Sequence, residues 1–299
     1  MNWVLVALIA PVMWGINNIL DKFILTKKLR DPNTFNILTM ICDLIPLVLI
    51  FSFFQISPMS VAAVLSFIGG LLIVPTMLLY NKAMMFEEAS RVGSLANIYP
   101  IFVSIIAFFV LGESLGFLKY VGIFSTTAGA ILISYKKSKN NKKIISFALF
   151  LLLIYSFLWG TVSIISKYVL GFIDYWSLYF WSLAGSFVGG VLMLTVPKIG
   201  KKFVSDVRKT GRKTLFYIFL TSSVFYIGDL AVVVATSMTS VSLVSAVTAT
   251  HPLFALLFAS LVSFFSPRIL KEELGRVTVG LKIVAVCLIF IGIILVTAV

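Results

Sequence analysis

Apolar residues run along this chain in long blocks, each closed by a short cluster of charged, Pro, Gly, Ser or Asn residues. Ten such blocks stand out: 3–25, 35–54, 61–80, 92–111, 117–134, 144–170, 177–196, 215–235, 241–265 and 277–296. Most approach the length of about 20 residues that a helix needs to cross the hydrocarbon core of a bilayer. The pattern predicts an all-α polytopic membrane protein with ten transmembrane helices. The blocks consume nearly all of the 299 residues, which leaves no room for a soluble domain. The Lys-rich stretch SYKKSKNNKK (134–143) reads as a linker.

Composition agrees with the pattern. Sixty per cent of residues are hydrophobic and only 12% are charged, and the mean hydropathy is +1.10. A soluble domain carries about 25% charged residues, so a soluble enzyme, a nucleic-acid binder and a disordered chain are all excluded. The 27 Phe suit lipid-facing helices. Cys42 and Cys287 each sit inside an apolar run and read as packing residues, so neither a disulfide framework nor a Cys-based metal site is expected. The start, MNWVLVALIAPVMWG, lacks a basic leader and a small-residue cleavage site, and is expected to be a retained first span.

The net charge of +13 is mainly a matter of topology. Of 24 Lys and Arg, all but Lys22, Lys119, Lys167 and Lys282 fall in the first, third, fifth, seventh and ninth connections. The second and eighth connections have none. The positive-inside rule then makes odd-numbered loops cytoplasmic and puts both termini outside. The expected location is the plasma (inner) membrane.

Two ungapped internal matches indicate a duplication. WGINNILDKFIL (14–25) matches WGTVSIISKYVL (159–170) at an offset of 145, with Trp14/Trp159, Gly15/Gly160 and Lys22/Lys167 as identical pairs. At an offset of 152, Ala83, Ser90, Val92, Pro100, Phe102 and Ala107 match Ala235, Ser242, Val244, Pro252, Phe254 and Ala259. Two matches in the same order imply two five-helix repeats, here 1–138 and 139–299. Five is odd, so the second repeat enters the membrane inverted, as in many secondary transporters whose substrate site lies between the halves.

The Trp-Gly early in the first span of each half, the Pro in each fourth span and LGES (111–114) resemble the EamA family of the drug/metabolite transporter superfamily. EASRVGSLANIYPIFVSIIAFFVLGESL (88–115) carries the likeness most strongly; HPLF (251–254) and KEEL (271–274) are its counterpart in the second half, with Glu272 or Glu273 in place of Glu113. The resemblance implies a ten-helix carrier in which spans 1, 3, 4, 6, 8 and 9 surround a cavity. Relatives commonly have both termini in the cytosol; the charge pattern here predicts the reverse.

Polar residues inside spans are costly and usually face inward. Trp14, Asn18 and Lys22 recur at i, i+4 and i+8, as do Trp159, Ser163 and Lys167. They read as two cavity walls or as polar packing, with the lysines either contacting an anionic substrate or snorkelling from helix ends. Ser222, Tyr226 and Asp229 share one face of span 8, and Asp229 is suited to bind an amine, carry a proton or partner a structural group. Asp43 is a second isolated acid, on a span less expected to line a cavity. Tyr80 is a further candidate contact on span 3. Asn97 and Tyr99 precede Pro100, while Thr248, Thr250 and His251 precede Pro252; a mid-span proline frees a carbonyl one turn earlier. His251, the only histidine, suits proton coupling or a simple hydrogen bond. Glu87, Glu88 and Arg91 read as a solvated loop cluster or a gate.

Other classes find little support. GDL (228–230) and EEASR (87–91) only approximate the motifs of intramembrane aspartyl and CAAX-type proteases, and no P-loop is present. The expectation is a non-enzymatic secondary carrier, without metal or cofactor, proton-coupled or exchanging. Its cargo would be a small organic metabolite (amino-acid-like, amine or anionic), with cationic-drug efflux as the alternative and a channel as a lesser one. Its partners would be that substrate and the bilayer, not nucleic acid, and it would act as a monomer or homodimer.

Overall fold

The structure is a computed structural model that describes residues 2–87, 89–133, 142–265 and 276–297. The linker at 134–141, with the boundary between the two repeats, lies outside the described residues, as do Glu88, the KEEL segment and the side chain of Arg91. Among the described residues every regular element is helical.

The helices are α1 (Trp3–Lys27), α2 (Pro32–Cys42), α3 (Leu44–Phe53), α4 (Val61–Phe86), α5 (Ala89–Ala96), α6 (Tyr99–Ile106) and α7 (Phe117–Ile133) in the first half. The second half holds α8 (Lys142–Val169), α9 (Tyr175–Met193), α10 (Pro197–Lys209), α11 (Arg212–Met238), α12 (Val241–Thr248), α13 (His251–Phe265) and α14 (Arg276–Thr297). Seven described segments are long and apolar enough to cross a membrane: Trp3–Lys27, Pro32–Phe53, Val61–Phe86, Phe147–Val169, Tyr175–Met193, Arg212–Met238 and Val241–Phe258. Three apolar helices, Tyr99–Leu111, Phe117–Leu132 and Val284–Thr297, are shorter. These ten segments fall on the ten apolar blocks.

Local chemistry sets the boundaries. Side-chain oxygens of Asp31, Ser60 and Asp174 accept from the first-turn amides of α2, α4 and α9, which satisfies donors that a helix start leaves open. Burial pushes the Asp174 carboxyl up, but hydrogen bonds from the Ser177 hydroxyl and the amides of Ser177 and Trp176 outweigh it and hold the group below its ordinary range. Span 2 is broken at Asp43, between α2 and α3. Spans 4 and 9 are broken at 97–98 and 249–250, just before Pro100 and Pro252. One connection predicted as a loop is a helix: 197–209 forms α10.

The surface is that of a protein in lipid. Phe51, Phe53, Phe109 and Phe117 are at least 69% exposed, while Asn18, Asp21, Asn36, Asp43, Asn81 and Asn97 are buried. The halves are interleaved. α1 packs on α11 as α4 does on α8, α1 on α13 as α6 on α8, and α2 on α11 as α4 on α9; α7 pairs with α14. The Trp-Gly motif serves this interleaving. A Cβ on Gly15 would lie 3.0 Å from Phe254 Cβ and Ala255 N of α13, and one on Gly160 would lie 3.4 Å from Phe102 Cβ of α6. Phe254 and Phe102 are themselves repeat mates, so each half's glycine lets the other half's fourth span approach.

Candidate substrate cavity

A cavity of about 100 Å³ opens between the halves, lined by α1, α2, α4, α8, α9, α11 and the breaks in spans 4 and 9. That is enough for a small polar molecule or several waters, since about 10–15 Å³ suffices for one water.

One wall is aromatic. Trp14 and Trp159, the repeat mates, meet edge-on at 6.0 Å. Phe225 stacks on Trp14 at 6.3 Å. Tyr155 stacks on Trp159 at 6.0 Å, and Tyr80 lies 5.3 Å from Tyr155. Trp14 and Trp159 are thus equivalent positions of the two repeats in direct ring contact.

The polar part of the lining is acidic. Asp21, Asp43 and Asp229 all line the cavity, and among the described residues no Lys or Arg does. Thr221 Oγ1 donates to Asp21 Oδ1 at 2.7 Å, while Asn17 Nδ2 donates to Thr221 Oγ1 at 2.8 Å. The Tyr226 hydroxyl donates to the Thr39 carbonyl at 3.1 Å, tying α11 to α2. Three buried atoms of the lining, Trp14 Nε1, Asp43 Oδ2 and Ser222 Oγ, have no hydrogen-bond partner among the described residues. An unsatisfied buried polar atom is costly, so these three are the lining's groups most in need of a ligand.

The broken helices bring main-chain carbonyls and pre-proline side chains to the same place. His251 Nε2 donates to the Trp14 carbonyl at 3.1 Å, and its Nδ1 lies 3.5 Å from Asn97 Nδ2. Asn97 also donates to the Gly93 carbonyl. Tyr99 hydrogen-bonds Thr248 Oγ1 and donates to the Ser245 carbonyl at 3.3 Å. Each pre-proline side chain thus crosses to the other half.

Of the residues singled out in the sequence, Trp14, Tyr80, Asn97, Tyr99, Trp159, Tyr226, Asp229, His251 and Asp43 line the cavity. Asn18, Ser163, Thr250 and the two lysines do not. Asn18 donates to the Tyr80 hydroxyl at 3.0 Å and so acts behind the lining. Ser163 bonds its own helix through the Trp159 carbonyl. Lys22 Nζ donates to the carbonyls of Met84 (2.6 Å) and Glu87 (2.7 Å) at the end of α4. Lys167 Nζ donates to the carbonyls of Thr236 (2.9 Å) and Thr239 (2.6 Å) at the end of α11. Met84 and Thr236, like Glu87 and Thr239, are separated by the repeat offset of 152. The lysines are matched helix-end staples that satisfy carbonyls left open there. Glu113 of LGES does the converse: its carboxylate accepts from the Val241 amide (3.0 Å) and the Ser242 hydroxyl (2.8 Å) at the start of α12.

Sequence reasoning overlooked Asp21, Asn17, Thr221, Tyr155 and Phe225. A helix turns 3.6 residues per turn, so a step of four drifts by about 40° and the face Trp14, Asn18, Lys22 wanders off. The steps 14, 17, 21 stay on one side, and Asn17 and Asp21 were the available signal.

The model of the EamA-like transporter family matches residues 1–135 and again 146–298. A solved crystal structure, described only as that of a protein, is 13% identical to this chain with a TM-score of 0.69, covering 99% of this chain and 96% of that one. At that identity the likeness shows the fold alone. Among curated proteins none matches.

Proposed function

Because the chain belongs to the EamA-like transporter family, we propose that this integral membrane protein is a secondary-active carrier that binds a small amine-bearing organic molecule, cationic or zwitterionic, in the central cavity. The carrying observation is the lining itself: three carboxyl side chains, a continuous aromatic wall and no Lys or Arg among the described residues. A carboxylate beside aromatic faces is the arrangement that holds an ammonium group. Trp14 Nε1 and Ser222 Oγ supply further polar contacts, which suits a zwitterion as well as a simple amine.

The anionic-metabolite reading loses its support, because both lysines it needs are committed to helix-end carbonyls. Efflux of cationic drugs uses the same chemistry, but the small cavity favours a metabolite. Ten spans in two inverted halves, 1–138 and 139–299, carry the substrate by alternating access, with the halves moving against each other about the cavity. Coupling is to protons or to exchange, and the carboxyl groups of Asp21, Asp43 and Asp229 with the His251 imidazole are the groups at hand.

The experiment is a thermal-shift screen of purified protein against amines, amino acids and organic anions, followed by counterflow in proteoliposomes. An amine or amino acid is expected to raise the melting temperature and to drive saturable counterflow. Asp43→Asn and Asp229→Asn should each lower affinity at least tenfold. Stabilisation by anions alone would overturn the substrate class, and conductance without counterflow would overturn the carrier.

A further inference from the structure

The connection between α9 and α11 holds chemistry that a carrier does not need for its cavity. α10 reads PKIGKKFVSDVRK, with five basic residues against one acid, and none of its residues is buried. Its two ends are tethered. α9 ends at Met193 and α11 begins at Arg212, both membrane-spanning segments. Four residue steps at one end and three at the other span at most about 14 Å and 11 Å. The helix is therefore confined to the surface of the bilayer, at the depth of the lipid headgroups.

Its faces are sorted for that position. Ile199, Phe203 and Val207, at i, i+4 and i+8, are half-buried, and α10 packs against α2. Lys198, Lys201, Lys202, Arg208 and Lys209 are exposed. The single acid, Asp206, is turned inward: the Thr34 hydroxyl of α2 lies 3.3 Å from it, and Lys202 pairs with it at 2.7 Å. Through Thr34 the patch continues into the turn between α1 and α2, where Lys27, Lys28 and Arg30 are exposed. The acid there, Asp31, is occupied by the Thr34 amide and hydroxyl, each at 2.8 Å. Arg212 and Lys213 extend the patch into α11. The fully exposed charged side chains of α10 and of this turn are thus all basic, and the two acids among them are half-buried.

We propose that α10, with the α1–α2 turn beside it, is a binding surface for the phosphate headgroups of anionic phospholipids in the leaflet that borders it. A basic amphipathic helix lying in the interface plane gains both from its apolar side and from anionic lipid. Each Lys or Arg near such a leaflet strengthens the attraction about fivefold. Because α10 is tied to α2, α9 and α11, three segments that contribute to the cavity lining, headgroup binding stabilises the folded molecule and is read as a shift in its melting.

The test uses the full-length protein in micelles of a neutral detergent doped with phosphatidylglycerol or phosphatidylcholine, with melting followed by tryptophan fluorescence. Phosphatidylglycerol should raise the melting temperature by several degrees at low salt, and phosphatidylcholine should not. The shift should shrink at 0.5 M salt, where screening cuts the reach of charge to about 4 Å. Replacing Lys198, Lys201, Arg208 and Lys209 together by Gln, with the Lys202–Asp206 pair kept, should remove most of the phosphatidylglycerol shift while leaving melting in phosphatidylcholine unchanged. Replacing Lys198, Lys201 and Lys209 by Arg should preserve it. An equal shift in the Gln protein, or an equal effect of phosphatidylcholine, would overturn the proposal. A matching shift with soluble glycerophosphate would reassign the surface to free anions.

Discussion

Lys22 and Lys167 show how a side chain at the right depth is engaged by helix-end carbonyls. Each ammonium sits at the end of its own half's third span and accepts no role in the cavity lining. Hydrogen bonds from charged donors contribute about 1.5–3 kcal/mol in water-soluble proteins, and interhelical bonds in membranes average nearer 0.6 kcal/mol. Lys167→Met should therefore destabilise by about 1 kcal/mol, seen as a lower melting temperature, while KM for transport stays put. A rise in KM with unchanged melting would put the lysine back in the site. Asp174 offers a pH-dependent counterpart. Its folded pKa lies below the ordinary carboxylate value, so the cap contributes fully above about pH 4 and is lost as pH falls through the lowered value. Asp174→Ala should cost about 1 kcal/mol at neutral pH and nothing once the wild-type carboxyl is protonated. Melting curves at neutral and strongly acid pH would reveal the convergence.

At the scale of elements, the pattern of apolar blocks located the helices well and their interruptions poorly. The breaks before Pro100 and Pro252 were legible because a proline removes a donor and clashes with the preceding turn. Pro11 and Pro75, by contrast, lie inside unbroken α1 and α4. The break at Asp43 carries the same sign in Pro46, which lacks the N–H that would reach the Cys42 carbonyl, but the apolar run around it masks the interruption. In α10 the charge outweighs the apolar spacing, so that stretch has the pattern of a loop in sequence. Glycine was more informative than proline at the interface of the halves. Gly15 has backbone and Cβ atoms 3.0 Å from where a methyl would go, whereas Gly160 has 3.4 Å. Gly15→Ala should therefore cost about 1–3 kcal/mol through overpacking, and Gly160→Ala clearly less. Comparable losses in chemical or thermal denaturation would mean that the two close approaches are not as unequal as this geometry states.

For the whole molecule, the duplication supplies its own internal control on orientation. The α3–α4 turn and the α9–α11 connection are second connections of their respective halves, and so are equivalent by descent. Their charges are opposite in character: residues 54–60 carry no Lys or Arg, while 194–213 carry seven. Equivalent connections of two five-span repeats face opposite sides if the repeats are inverted, and the positive-inside rule then expects the basic one in the cytoplasm. Met59 is 69% exposed in the first and Val204 47% exposed in the second. In a background with Cys42 and Cys287 replaced by Ala, Met59→Cys should react with a membrane-impermeant maleimide in intact cells. Val204→Cys should react only after permeabilisation. Labelling of both from the outside would break the inversion, and the reverse pattern would keep the inversion but flip the molecule. In that case the substrate cavity would stand unchanged, because its acidic lining depends on how the halves meet and not on which way they face.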